Sequence, residues 1–245
     1  MTEGREDTPL TKHSLLSRPV RHLEMKDLDV RPLIDGYREM AVQSRTLAEA
    51  SDIYSEMLAD PDCAVILTLA GSLISAGLKE ILVSLVEHNM VDAIVSTGAN
   101  IVDQDFFEAL GFHHYIAPGS PEAPLIADEA LHELGIDRIY DTYIDEEELR
   151  LCDDATTSIF DSLDPGPYSS RKLIREFGRY LDEHHPEARS IVLSAFRKGL
   201  PIFVPAFSDC SAGFGVVAHQ AKALANGAPH VSFDSGRDFY ELTRL

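Results

Sequence analysis

The chain is predicted to be an α/β protein with a doubly wound, mostly parallel sheet and helices on both faces. Three observations predict it: strand-loop-helix units recur near residues 63–86, 91–110 and 200–225, their strands are short apolar runs, and their loops are built of small residues. A helix between two strands returns the chain to the same end of the sheet, so tandem units of this kind build parallel pairing.

The elements follow in order. Residues 1–25 are polar without a sustained apolar period and are expected to form a flexible arm, with 26–245 as a single domain. From Leu28 to about Leu58 the apolar spacing is helical. Cys63–Ala70 reads as a buried strand, Gly71 and Ser72 as a turn, and Leu78, Ile81, Leu82, Leu85 and Val86 as one face of a helix. Val91–Ser96 is a second buried strand, Thr97–Asn100 a loop, and Asp103–Leu110 the opening of a helix with acids in its first turn.

Ala127–Leu134 is a short helix stopped by Gly135, and Asp141–Pro167 reads as acidic and irregular. Ser169 or Ser170 caps a helix running to about His184, and Ser190–Lys198 is a helix ended by Gly199. Leu200–Phe207 is the third strand, Ser208–Gly213 its loop, Phe214–Ala225 its helix, and His230–Asp234 one further strand.

Composition narrows the function classes. At 44% apolar and 25% charged, the 245 residues suit a globular domain. No apolar run reaches the roughly 18 residues of a membrane span and no signal-peptide pattern opens the chain, so a cytoplasmic location without membrane contact is expected. Cys63, Cys152 and Cys210 form no C-x-x-C pair, which points to neither a disulfide framework nor a zinc knuckle. A net charge of -20 argues against nucleic acid as a partner. The acidity reads first as a solvated surface, of a composition that suits a salt-rich cytoplasm given six lysines against fifteen arginines, and second as a field that steers a cationic substrate.

In a doubly wound sheet, ligands bind at the carboxyl ends of the strands, so the loops at 70–72, 97–100 and 208–213 are expected to converge. Each places small residues before a helix N-terminus, where free N–H groups and the helix dipole favour a phosphate, and Ser72, Thr97 and Ser211 add hydroxyls. For any one loop, the alternative is that small residues simply permit a tight turn. Three such loops together point to a nucleotide.

Asp209 follows the third strand, where a carboxylate can bind a ribose hydroxyl or an ammonium group, or equally can form an Asx turn or cap the next helix. Cys210 stands beside a helix N-terminus, which lowers a thiol pKa, but no histidine is placed beside it and a small buried thiol is the preferred reading. The doublets His113-His114 and His184-His185 lack the spacing of metal ligands and read as surface or loop residues, and no metal site is expected. Gly213-x-Gly215-x-x-Ala218 with Asp234 matches a dinucleotide fingerprint in letters. Gly213, however, falls six positions after Phe207, whereas that fingerprint opens the turn directly after its strand, and this reading ranks last.

The segments Ser72-Leu-Ile-Ser-Ala-Gly77, Leu85-Val-Glu-His-Asn-Met-Val-Asp92, Ser96-Thr-Gly-Ala-Asn100 and Pro201-Ile-Phe-Val-Pro-Ala-Phe-Ser-Asp209 resemble the deoxyhypusine synthase family. Gly135-Ile-Asp-Arg138 and Phe233-Asp-Ser-Gly-Arg-Asp238 extend the similarity in the family's order. The resemblance implies a Rossmann-like NAD-binding fold and NAD-dependent transfer of the aminobutyl group of spermidine, through an imine on an enzyme lysine, to a lysine of a translation initiation factor. It implies that Gly71, Ser72, Leu73, Ile74 and Ser75, with Thr97, Gly98 and Ala99, hold the cofactor, that Asp209 contacts it near the reacting end, and that Asp103 and Gln104 lie near the polyamine.

Some positions depart from the family. Gly71 and Ser72 stand where the synthases often carry Ser and Asn, and Phe214 stands where a second aspartate pairs with spermidine. None of the six lysines matches the family's nucleophile, so a C-terminal segment bearing it is expected to be missing from this chain or supplied separately. The resemblance also implies a tetrameric homo-oligomer or assembly with a complementary subunit. It leaves two alternatives: a non-catalytic subunit that binds nucleotide or an active partner, and a related polyamine aminobutyltransferase such as homospermidine synthase.

Overall fold

The computed structural model describes residues 10–25, 28–118 and 126–245, except the side chain of Ser211. The Ser211 hydroxyl named above therefore lies outside the described residues. Among them, the chain is a mixed α/β protein with helices α1 (Lys12–Leu15), α2 (Arg31–Arg38) and α3 (Gln43–Ala59), then strand β1 (Ile66–Leu69), α4 (Lys79–Glu87) and β2 (Ala93–Ser96). A π-helix, Ala99–Phe106, runs into α5 (Phe107–Ala109) and is followed by β3 (Tyr115–Ile116), α6 (Asp128–Glu133), β4 (Ile136–Ile139) and β5 (Thr142–Asp145). The remainder is α7 (Glu146–Ser162), β6 (Gly166–Tyr168), α8 (Ser170–His184), α9 (Ile191–Lys198), β7 (Ile202–Phe203), α10 (Ser211–Ala225), β8 (Val231–Phe233) and α11 (Ser235–Leu242).

The strands pair as three small sheets. β1, β2 and β7 lie side by side in parallel, with Ile66 opposite Ala93 and Ile94 opposite Ile202. β3, β5 and β4 form an antiparallel sheet, and β6 pairs with β8 in parallel. Ala93 and Ile94, on the central strand β2, are sealed from solvent. The first strand departs from its prediction: at the edge of this sheet Ile66 is 46% exposed, because a strand with a neighbour on one side only need not be covered on both faces.

Aromatic packing holds the helices against the parallel sheet. Phe177 of α8 sits 5.0 Å from Phe106 of the π-helix, 5.8 Å from Phe160 of α7 and 6.5 Å from Phe207, centroid to centroid. All four side chains are fully buried, and such pairs contribute about 0.5–1.5 kcal/mol each beyond their buried area.

The acidic stretch predicted to be irregular is instead β5, the 17-residue helix α7 and β6. Asp145 caps α7 by accepting from the Glu147 N–H at 2.9 Å. Cys152, Thr156, Ile159 and Phe160 form its buried stripe. That stripe has helical spacing, and the six acids of Glu146–Ser162 obscured it because they crowd the solvent face. The predicted helix over 28–58 is two helices, broken at residues 39–42 where Val42 adopts φ 59°.

Residues 10–25 correct the expectation of a free arm over that span. Leu15 is buried in a second small core with Leu131, Ile136 and Tyr143, Pro19 bridges to Tyr115, and Leu23 donates its N–H to the Gly77 carbonyl at 3.1 Å. The segment lacks an apolar period because single residues anchor it, with backbone hydrogen bonds supplying the rest.

The same segment delivers His22 to a buried ionic cluster. Glu108 accepts from His22 Nε2 at 2.7 Å and from His114 Nδ1 at 2.7 Å, and the Lys79 ammonium pairs with the same carboxylate. His114, expected at the surface, is thus sealed in the interior, while His184 is exposed and stacks on Tyr180. Burial alone would raise the Glu108 carboxyl; the two histidine hydrogen bonds and the Lys79 charge outweigh it and hold the group well below the ordinary glutamate range.

Candidate functional site

The loops that leave β1 and β2 meet at the carboxyl ends of those strands, and two buried amides join them. Asn100 donates to the Ala70 carbonyl at 2.8 Å and accepts from the Leu73 N–H at 2.8 Å. Gln104 accepts from the Ser75 N–H at 2.9 Å, with its Nε2 3.5 Å from the Ser72 hydroxyl. Both are sealed from solvent. A π-helix adds a residue per turn and displaces side chains from the α-helical pattern; here it runs from Ala99 and carries both amides toward the 70–75 loop.

This geometry alters the sequence reading at several positions. The helix opens at Ala99, four residues ahead of the predicted start, so the loop shrinks and Asp103 falls mid-helix with no acid in the first turn. The Leu73 and Ser75 N–H groups, in the loop that the resemblance assigns to the cofactor, are already bound by side chains. Gln104 is committed to the scaffold, and Ile74 and Ser75 are buried at 0% and 3% exposure. Of the residues named above, Gly71, Ser72, Leu73, Thr97, Ala99, Asp103 and Asp209 keep solvent exposure at this end of the sheet. Nothing lies within 4 Å of where a Gly71 side chain would begin.

The third loop joins the first two through close packing at Gly98. A methyl group there would lie 2.4 Å from Cys210 Sγ, so only glycine admits this approach. We expect Gly98→Ala to cost about 1–3 kcal/mol by overpacking, read from the urea midpoint; an unchanged midpoint would show that the loops do not depend on this contact. The Cys210 thiol lies 3.2 Å from the Phe207 carbonyl and is pushed up to about 12, first by burial and then by Asp103. It is a buried packing group, as the sequence reading preferred. Burial and the same Asp103 charge raise the Cys152 thiol, which places Asp103 within electrostatic range of both.

Asp209 is exposed, and Cys210 rather than Asp209 takes the N-cap position of α10, with no side-chain cap. The fingerprint glycines sit inside α10. A Cβ at Gly215 would fall 2.2 Å from Thr156 Oγ1, so this glycine lets α10 approach α7. Asp234 caps α11 by accepting from the Arg237 N–H at 2.9 Å. The fingerprint reading is thereby set aside, since its glycines belong to a helix contact and its acid to a cap.

Sequence reasoning missed Asp105, the anchor of the π-helix. Wholly buried, it accepts from the Ile191 and Val192 N–H groups, each at 2.9 Å, and from the Ser190 hydroxyl at 2.7 Å. Burial raises its pKa and these donors oppose that rise. A signal did exist: Ser190 caps only the Leu193 N–H of its helix, and the remaining N–H groups of a helix start favour an anion. Nothing in the chain order paired it with residue 105. Among the described residues, no group of three or more His, Cys, Asp or Glu side chains is placed to hold a metal, and no helix is long and apolar enough to cross a membrane.

The fold and the loop cluster define an α/β protein whose candidate ligand face lies at the carboxyl ends of a parallel sheet. Residues 32–245 match the family model described as deoxyhypusine synthase, and the chain belongs to that family. It is 55% identical over 240 residues to a deoxyhypusine synthase-like protein of Chlorobaculum parvum, covering 98% of this chain and 66% of that relative. A protein of the same description from Elusimicrobium minutum is 52% identical over 227 residues, covering 92% and 59%. The chain therefore spans less than two thirds of the length of these relatives. A crystal structure from Entamoeba histolytica, described as a deoxyhypusine synthase, superposes with a TM-score of 0.60 at 18% identity, covering 91% of this chain and 73% of that one, and supports the fold.

Proposed function

We propose that the chain is a deoxyhypusine synthase-type subunit that binds NAD at the convergent loops. The observation that carries this reading is the joining of the 70–75, 97–100 and 208–210 loops by Asn100, Gln104 and the Gly98–Cys210 contact. In this proposal β1, β2 and β7 are the core of a Rossmann-like, doubly wound sheet within one domain over 26–245.

The residues suit a dinucleotide. Gly71 admits close approach to the backbone, Ser72 and Thr97 offer hydroxyls, and Ala99 opens a helix whose N-terminal dipole favours a phosphate. Asp209 accepts from a ribose hydroxyl, and Asp103 attracts a polyamine ammonium. Ile74, Ser75, Gly98 and Gln104 support these groups from behind. Bound NAD would supply hydride acceptance and return. The overall reaction is transfer of the aminobutyl group of spermidine to a lysine of a translation initiation factor in the cytoplasm. The lysine nucleophile comes from a segment outside these 245 residues, in a tetramer or a complementary subunit.

Titration calorimetry with NAD tests the reading. We expect saturable binding, weakened about tenfold or more by Asp209→Ala through loss of a charge-assisted hydrogen bond. Absence of saturable NAD binding would refute it. Exposure of Phe214 at 71%, where the family sets an acid, favours a second reading: a non-catalytic subunit that binds nucleotide or an active partner. In that case spermidine produces no NADH absorbance even after a lysine-bearing segment is added, while stable binding to an active relative persists.

A further inference from the structure

Among the described residues β8 pairs with β6 alone, so its outer edge faces no neighbouring strand. An uncovered edge of this kind presents unpaired N–H and C=O groups. At Val231, which is fully buried, two consecutive side chains of α10 close it. The Val231 N–H donates to His219 Nε2 at 3.0 Å, and the Val231 carbonyl accepts from Gln220 Nε2 at 3.0 Å.

The partners of the ring fix its protonation. His219 Nδ1 stands 2.7 Å from Asp161 Oδ1 of α7, and the residue is buried. A backbone N–H can only donate and a carboxylate can only accept, so Nε2 keeps its lone pair and Nδ1 carries the proton. Lys222 binds the other oxygen of Asp161 at 2.6 Å. The Lys222 ammonium first, and the His219 ring second, hold the Asp161 carboxyl below the ordinary aspartate range, so it stays an acceptor in mild acid. Of the elements packed on α10, α7 brings Asp161 to the ring, β8 has no titratable side chain, and the π-helix brings Asp103 to Cys210 at the start of α10. Lys222 and Asp161 already balance in charge. A second proton on the ring therefore adds a net positive charge and aims an N–H at the Val231 N–H, and two donors cannot share a hydrogen bond.

We propose that His219 is a pH-sensitive latch on the outer edge of β8. The neutral ring, protonated at Nδ1, seals the Val231 N–H. Protonation at Nε2 releases that N–H, while Asp161 keeps the ring and Gln220 keeps the Val231 carbonyl. The latch is separate from the loop cluster and does not depend on NAD binding there.

NMR of the whole chain tests it with two measurements. Ring nitrogen shifts of His219 at neutral pH are expected to show the uncharged tautomer with its proton on Nδ1. Amide exchange at Val231, corrected for its intrinsic pH dependence and referenced to Ile94 in the central strand, should rise about tenfold between about pH 7.5 and 5.5, the range in which histidines take up a proton; that factor is the equivalent of one hydrogen bond. His219→Gln supplies an amide oxygen that accepts the Val231 N–H without titrating, so its corrected rate should stay flat over the same range. The proposal fails if the ring is charged or carries its proton on Nε2 at neutral pH, if Val231 exchange in the wild type does not respond to pH, or if His219→Gln responds equally.

Discussion

Replacing Asp105 by alanine is expected to lower the unfolding free energy by about 3–5 kcal/mol, a large share of the stability of a domain this size. The carboxylate joins the π-helix to the start of α9, and no water reaches it. Alanine leaves the Ile191 and Val192 N–H groups and the Ser190 hydroxyl buried with a partner removed, at roughly 1–3 kcal/mol for each group left unsatisfied. Ser190 still accepts from the Leu193 N–H at 3.1 Å, which caps the loss below the full sum. Asp105→Asn keeps one acceptor oxygen and should cost less. Urea unfolding of the three proteins checks the ranking; an alanine variant within about 1 kcal/mol of wild type would show that α9 does not rest on this anion. Because the π-helix also carries Asn100 and Gln104, the alanine variant should loosen the 70–75 loop as well, seen as faster amide exchange at Leu73 and Ser75.

Glu108→Gln should cost a similar 3–5 kcal/mol, since it removes the anion from a site that keeps the Lys79 ammonium buried beside two histidines. The pH dependence has a definite sign. The folded-state pKa of Glu108 lies below its ordinary value of 4.5, so its ionisation contributes fully above that pH. As pH falls below 4.5 the unfolded chain takes up a proton that the folded one does not, and the contribution declines by about 1.4 kcal/mol per pH unit. The stability gap between wild type and Glu108→Gln should therefore be widest near neutrality and narrow progressively in acid. A gap independent of pH between about 3 and 7 would contradict the cluster as described.

Much of the fold was legible from local patterns. The strands near 66–69 and 93–96, the serine caps at 169 and 190 and the glycine stop at 199 all follow from a short-range rule: apolar runs bury, serines cap, and Gly199 takes φ 71°. α7 was missed although its period was present, because Cys152 and Thr156 are not read as core residues amid so many acids. At the candidate site, the residue types were legible but their duties were not. Gln104 and Ile74 look available in the sequence, yet one is spent on the Ser75 N–H and the other on the core.

The sequence by itself determined the α/β class, the order of the strand-loop-helix units and the identity of the loops, because backbone propensity and apolar period act within a few residues of one another. Only the tertiary structure decided which loop groups stay open and which are consumed, through Asn100 on Leu73, Gln104 on Ser75, Asp105 on α9 and Gly98 against Cys210. These pairings join residues 27 to 112 positions apart, and buried polar groups must find partners wherever the packing sets them. No local pattern encodes that choice.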